Sequence, residues 1–133
     1  MKTLFTEVRP GGSLKAPFDL VHVTDTHFTY GDERDGEKKI KHAKGRTEVF
    51  GGQQEIWLAY AEATARALKA PIVHTGDLID FVSQANLDRA KRFFDENDVA
   101  LVTAGNHEFA IYIGDGEKEN AEYRNRSLAT VQS

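Results

Sequence analysis

Pro71-Ile72-Val73-His74-Thr75-Gly76-Asp77-Leu78-Ile79-Asp80 carries the pattern that decides the fold: a short β-branched apolar run that stops at a glycine and a carboxylate. The run is too short for a helix and is punctuated by Pro71 and Gly76, so it reads as a buried strand ending in a turn. The pattern occurs twice more. Upstream, Phe18-Asp19-Leu20-Val21-His22-Val23-Thr24 runs into Asp25-Thr26-His27. Downstream, Val99-Ala100-Leu101-Val102-Thr103 runs into Gly105-Asn106-His107-Glu108.

Between the strands the period changes. Over residues 53–69 apolar positions recur at helical spacing (Ile56/Trp57, Tyr60/Ala61, Thr64, Ala67/Leu68), with Pro71 as the stop. Ser83 or Asn86 caps a second helix reaching about Asn97, with Leu87, Ala90, Phe93 and Phe94 on one face. Trp57, Tyr60, Phe93 and Phe94 are expected in the core. Residues 29–48 mix charges densely around a single aliphatic side chain, Ile40, and read as a long charged surface loop of the kind that forms functional lids or plain excursions. The order strand, loop-helix, strand, helix, strand predicts an α/β fold with parallel strands and crossover helices, in one domain over residues 1–133. Residues 10–13 read as a turn and residues 119–131 as a further helix, with no fourth strand after it, which favours a domain truncated at its C-terminal side.

Composition narrows the chemistry. The 133 residues include no cysteine, which excludes disulfides, thiolate catalysis and thiolate-bound metal. With 17 basic and 21 acidic side chains the net charge is −4, so no basic excess supports a nucleic-acid partner. The N-terminal residues reach Glu7 and Arg9 before any apolar run, unlike a signal peptide, and no apolar stretch approaches the roughly 18 residues that span a bilayer. A cytoplasmic protein without membrane contact is expected.

In open α/β sheets the carboxyl ends of the strands form the ligand crevice. Here each strand end delivers donors to that rim: Asp25 and His27, Asp77 and Asp80, then Asn106, His107 and Glu108. Carboxylate, imidazole and amide oxygen suit divalent ions such as Mn²⁺, Fe²⁺ or Zn²⁺. Glycines before Asp77 and Asn106 let the backbone turn sharply and approach closely.

Asp25-x-His27, Gly76-Asp77-x-x-Asp80 and Gly105-Asn106-His107-Glu108 resemble the first three motifs of the calcineurin-like metallophosphoesterases, in order, over roughly residues 18 to 110. The resemblance implies the N-terminal part of a two-sheet α/β sandwich that hydrolyses phosphate mono- or diesters with a metal-bridging water between two divalent ions (Mn²⁺, Fe²⁺/Fe³⁺ or Zn²⁺). It implies that Asp25 and His27 bind the first ion, Asp77 bridges, and Asn106 binds the second. His107 would protonate the leaving alkoxide or steady the phosphate, and Asp80 would orient His107. Glu108 receives no ligand role. Such a pair of ions, about 4 Å apart, acidifies water and clamps phosphate oxygens.

The family pattern continues with an isolated histidine and a Gly-His-x-His group, yet no histidine follows His107. Four side chains are few for two ions, so the alternative is a non-catalytic or degenerate metal-binding fragment of the same fold. His22 reads as a hydrogen-bonded core or near-core residue, His74 likewise, and His42 as a solvated loop residue. Arg34, Lys38, Lys39, Lys41, Lys44 and Arg46 are interleaved with acids and read as a solvated face rather than a phosphate clamp. Asn125-Arg126-Ser127 matches a glycosylation acceptor that has no meaning without secretion. The glycine pairs form neither a phosphate-cradling loop nor a dinucleotide fingerprint, and the Asp-Gly pairs lack the carboxylates of a calcium loop. The phosphoester substrate stays open, and the outer edge of the third strand is expected to promote self-association.

Overall fold

The computed structural model of the chain describes Thr6, Glu7, Ala16 and residues 18–109. The turn expected at residues 10–13, the helix expected at 119–131 and the Asn125-Arg126-Ser127 tripeptide lie outside the described residues.

The elements are β1 (Val21–Val23), α1 (Gly36–Val49), α2 (Gln54–Leu68), β2 (Ile72–His74), α3 (Gln84–Glu96), β3 (Val99–Val102) and α4 (Asn106–Phe109). The strands form one parallel sheet in the order β1-β2-β3. Val21 pairs with Ile72 and Val23 with His74, while Ile72 pairs with Val99 and the register slips by one residue before Val73 meets Leu101. The α/β class with crossover helices is therefore as the alternation predicts. Parallel register brings all three carboxyl ends to the same side.

Side chains from sheet and helices build the core: Phe28, Leu58, Ala65, Ile72, Leu78, Ile79, Ala90 and Phe93 are buried together. Ser83 caps α3 by accepting the Asn86 N–H at 3.0 Å, one of the two caps considered from sequence. On α3 Ala90 and Phe93 face the core as expected, whereas Phe94 is exposed.

Two sequence expectations are corrected. On α2 the stripe that meets the core is Leu58 and Ala65, seven residues apart, while Ile56, Trp57, Tyr60 and Leu68 are exposed. Small and medium side chains let the helix sit close to the sheet, and the bulkier residues occupy its other faces.

Residues 36–48, expected as part of a charged loop, form most of helix α1. Its interior is rich in strong helix formers such as Glu37, Lys38, Lys39, Lys41, Ala43 and Lys44. Only Ala43 is buried, against Phe81, so the helix has almost no apolar stripe to announce it. Specific ties dock it instead. Thr47 Oγ1 lies 2.8 Å from Thr29 Oγ1. Asp35, just before the helix, accepts the Gln84 N–H at 2.5 Å and the Ala85 N–H at 3.3 Å at the start of α3. A carboxylate at a helix N-terminus satisfies orphan donors and complements the helix dipole.

Candidate metal centre

Backbone pairing continues past the ends of β1 and β2. The Asp25 N–H donates to Gly76 O at 3.1 Å, the His27 N–H to Asp77 O at 2.9 Å and the Phe28 N–H to Leu78 O at 2.9 Å. The Asp80 N–H returns to Phe28 O at 3.0 Å. The two motif segments are thus laced side by side, and their side chains share one rim. Asp25 (φ 54°), His27 (φ 46°) and Asp77 (φ 53°) all adopt left-handed backbone. Non-glycine residues enter that region rarely, aspartate and histidine among the more tolerant, at a cost of about 1–3 kcal/mol each that concentrates at functional sites.

The third motif reaches the same rim through glycines. Gly76 (φ 105°) packs on Gly105, and a Cβ at Gly105 would run into the Asp77 carboxylate and backbone nitrogen. Asn106 follows directly and opens α4. Asp77 Oδ1 accepts the His107 N–H at 2.9 Å.

The ligand atoms converge. Asp25 Oδ1 lies 3.7 Å and Asp77 Oδ2 4.0 Å from His27 Nε2. One ligand atom from each of Asp25, His27 and Asp77 falls within a 4.8 Å cluster, and His27, Asp80 and His107 form a second such group. The structure therefore brings together Asp25, His27, Asp77, Asp80 and His107, with Asn106 beside them on the backbone.

Asp80 is 1% exposed, and its carboxylate is shared. Oδ1 accepts the His27 Nδ1–H at 3.1 Å and lies 3.3 Å from His107 Nδ1. Arg46 grips both oxygens, Nε to Oδ2 at 2.6 Å and Nη2 to Oδ1 at 2.8 Å. His107 Nδ1 makes its shorter bond to the Asp80 backbone carbonyl, at 2.7 Å. Asp80 does contact His107, then, but its carboxylate chiefly serves His27 and Arg46. Burial alone would raise the Asp80 pKa; the bonds from His27 and Arg46 override it and bring the carboxyl down to about 2. The same Asp80 hydrogen bond, against desolvation, raises the His27 pKa above its ordinary value. The His27 ring also stacks on Phe50 at 4.8 Å and meets His107 edge-on at 4.5 Å.

The remaining histidines and cations divide. His74 is fully buried, as expected for a core residue. His22 is hydrogen-bonded, Nε2 to Thr75 Oγ1 at 2.7 Å, but exposed rather than near the core, because its strand position points away from Ile72 and Phe93. His42 is not a solvated loop residue: it rides on α1, half-buried, edge-on to Phe81 at 4.9 Å, and burial lowers its pKa. Arg46 leaves the solvated face assigned to it and enters the site. Glu108, given no role from sequence, is buried and accepts the N–H groups of Asp77, Ile79 and Gly105. The adjacency of Glu108 to His107 was the available signal for its place at the rim. For Arg46 and Phe50 the sequence offered none, since both act through a helix with no apolar stripe.

Two carboxylates and an imidazole fixed at its other nitrogen make a donor set that fits a borderline divalent ion. The profile of the calcineurin-like phosphoesterases matches residues 18–131, and the chain belongs to that family, whose chemistry is metal-dependent phosphoester hydrolysis. No curated protein and no solved structure matches the chain. No helix among the described residues is long and apolar enough to cross a membrane.

Proposed function

We propose that this domain hydrolyses phosphate mono- or diesters at a dinuclear divalent-metal centre. The observation that carries the reading is the convergence of Asp25, His27 and Asp77, from two adjacent strand ends, on one small cluster of ligand atoms. Asp25 and His27 would hold the first ion, Asp77 both, and Asn106 the second, with Mn²⁺, Fe²⁺/Fe³⁺ or Zn²⁺ as candidates. When bound, such ions acidify water into a nucleophile and neutralise phosphate charge.

The residues themselves do the positioning. The Nδ1–H of His27 is committed to Asp80, so Nε2 is the atom that faces Asp25 and Asp77. Asp77 turns Oδ2 toward His27 while Oδ1 anchors the His107 backbone, which ties the second and third motifs together. A backbone carbonyl only accepts, so the bond from His107 to Asp80 O keeps a proton on Nδ1 and leaves Nε2 as the atom that would face the substrate, where the doubly protonated ring would give its Nε2 proton to the departing alkoxide and return to the neutral Nδ1–H form.

The test is hydrolysis of an aryl phosphate with added Mn²⁺. Turnover that falls to background in Asp77→Asn supports the reading. Turnover equal in both proteins sinks it.

A further inference from the structure

Arg46 and Phe50 stand outside all three motifs, yet both press on the same ligand. Phe50 caps the C-terminal end of α1, and its ring lies nearly parallel to the His27 imidazole (22°, centroids 4.8 Å apart). The Arg46 guanidinium sits 4.8 Å over the Phe50 ring and grips both Asp80 oxygens. Asp80 in turn takes the His27 Nδ1–H. The last turn of α1 therefore touches His27 along two routes, one through a ring face and one through a buried carboxylate.

We propose that Arg46, acting through Asp80 and aided by Phe50, is a positioning residue that fixes the ring orientation and tautomer of the metal ligand His27, so that α1 is a structural part of the metal centre. The inference rests on the metal-binding reading above and deepens it. An ionised carboxylate has two oxygens and accepts only. With the arginine fork engaging both oxygens, the carboxylate plane is set, and Oδ1 is aimed at Nδ1 of His27. That bond holds the proton on Nδ1 and leaves Nε2 to ligate. Outer-shell partners of this kind commonly govern metal affinity by 10–100-fold. Lysine at position 46 would keep the charge but offer a point donor in place of a planar fork, so it should restore only part of the effect. The alternative role for a cation at this place is a direct substrate contact, which would leave metal affinity untouched.

The experiment compares the full chain with Arg46→Met, Arg46→Lys and Asp77→Asn, using calorimetric Mn²⁺ affinity and long-range proton–nitrogen NMR of the metal-free imidazole rings. The expected result is that Arg46→Met binds Mn²⁺ about tenfold more weakly, that Arg46→Lys falls between it and the parent, and that the His27 ring signals shift from a dominant Nδ1–H form toward a mixture. Mn²⁺ affinity and His27 ring signals unchanged in Arg46→Met overturn the proposal, as does a loss confined to the KM for aryl phosphate. If Arg46→Met does not fold, Arg46→Lys decides by the same two readouts: parent-like values overturn the proposal and intermediate ones support it. If the unsubstituted chain binds Mn²⁺ no better than Asp77→Asn, the metal-centre reading itself has failed, and the ring signals alone then judge whether Arg46 orients His27.

Discussion

The Glu108 carboxylate holds Asp77 in place by its backbone: it accepts the Asp77 N–H at 3.0 Å, and with its two oxygens also takes the Ile79 N–H at 3.1 Å and the Gly105 N–H at 2.7 Å. At 4% exposure it binds the second motif to the third from below the rim. Glu108→Ala strips three donors of their acceptor at once. Each hydrogen bond to a charged group contributes about 1.5–3 kcal/mol, so a loss of at least about 3 kcal/mol is expected in urea denaturation. Glu108→Gln, which keeps one acceptor oxygen, should lose less. A loss under 1 kcal/mol in the alanine variant would contradict the tie.

Two glycines should answer alanine in opposite ways. Gly105 has no room for a Cβ beside the Asp77 carboxylate, so Gly105→Ala should displace Asp77, destabilise the chain and weaken Mn²⁺ binding. Gly45 lies inside α1 with nothing within 4 Å of the added carbon. There alanine should stabilise by about 0.5–1 kcal/mol through helix propensity. Thermal melts of both variants check the pair, and the Gly45 result also checks that residues 36–49 are helical.

His74 makes stability pH-dependent. Gly76 donates its N–H to His74 Nδ1 at 3.3 Å, so Nε2 carries the proton and donates to Thr26 Oγ1 at 3.2 Å, which itself donates to Leu78 O at 3.0 Å. Neutral imidazole satisfies both partners, whereas the cation would keep the Thr26 bond but turn a second N–H toward the Gly76 donor. Burial accordingly pushes the His74 pKa from 6.5 down to about 4. Because the folded pKa is the lower, the unfolded chain binds the extra proton: this contribution is fully present above pH 6.5 and is lost as pH falls toward 4. The expected slope is about 1.4 kcal/mol per pH unit, roughly 3 kcal/mol in all. Denaturation of the parent and of His74→Leu across that range checks it; an equal slope in both proteins contradicts it.

Among the described residues β3 pairs with β2 alone, and Leu101 on it is 53% exposed. An open parallel edge of this kind invites pairing with a second copy. Sedimentation should show concentration-dependent association, reduced in Leu101→Lys. A clean monomer with a sharp cooperative melt would remove this expectation.

The strands and their ligand clusters were legible because short β-branched runs stop abruptly at polar residues, although only β2 is largely buried and β1 and β3 each expose residues that the apolar runs suggested would be covered. Asp25, His27, Asp77, Asp80 and His107 are together in space as that pattern implied. Helix α1 was not legible, because hydrophobic periodicity is the strongest sequence signal and α1 buries one alanine. Losing α1 also concealed Arg46 and Phe50, whose contribution depends on which face of that helix turns to Asp80 and His27. On α2 the period was clear but the face was not: a helix carrying apolar residues on several sides does not declare which side the sheet will cover, and Leu58 with Ala65 won over Trp57 and Tyr60. The role of Asp80 was half legible. Its place beside the histidines followed from the motif, but the division of its carboxylate between His27 and Arg46 depends on the tertiary docking of α1.

Whether the strand ends form a metal centre is decided by metal stoichiometry: the chain is equilibrated with Mn²⁺, free ion is removed, and bound metal is counted by elemental mass spectrometry beside Asp77→Asn. At least one retained ion per chain, lost in the variant, is the expected result. No ion retained by the unsubstituted chain, or equal retention in both, would contradict it.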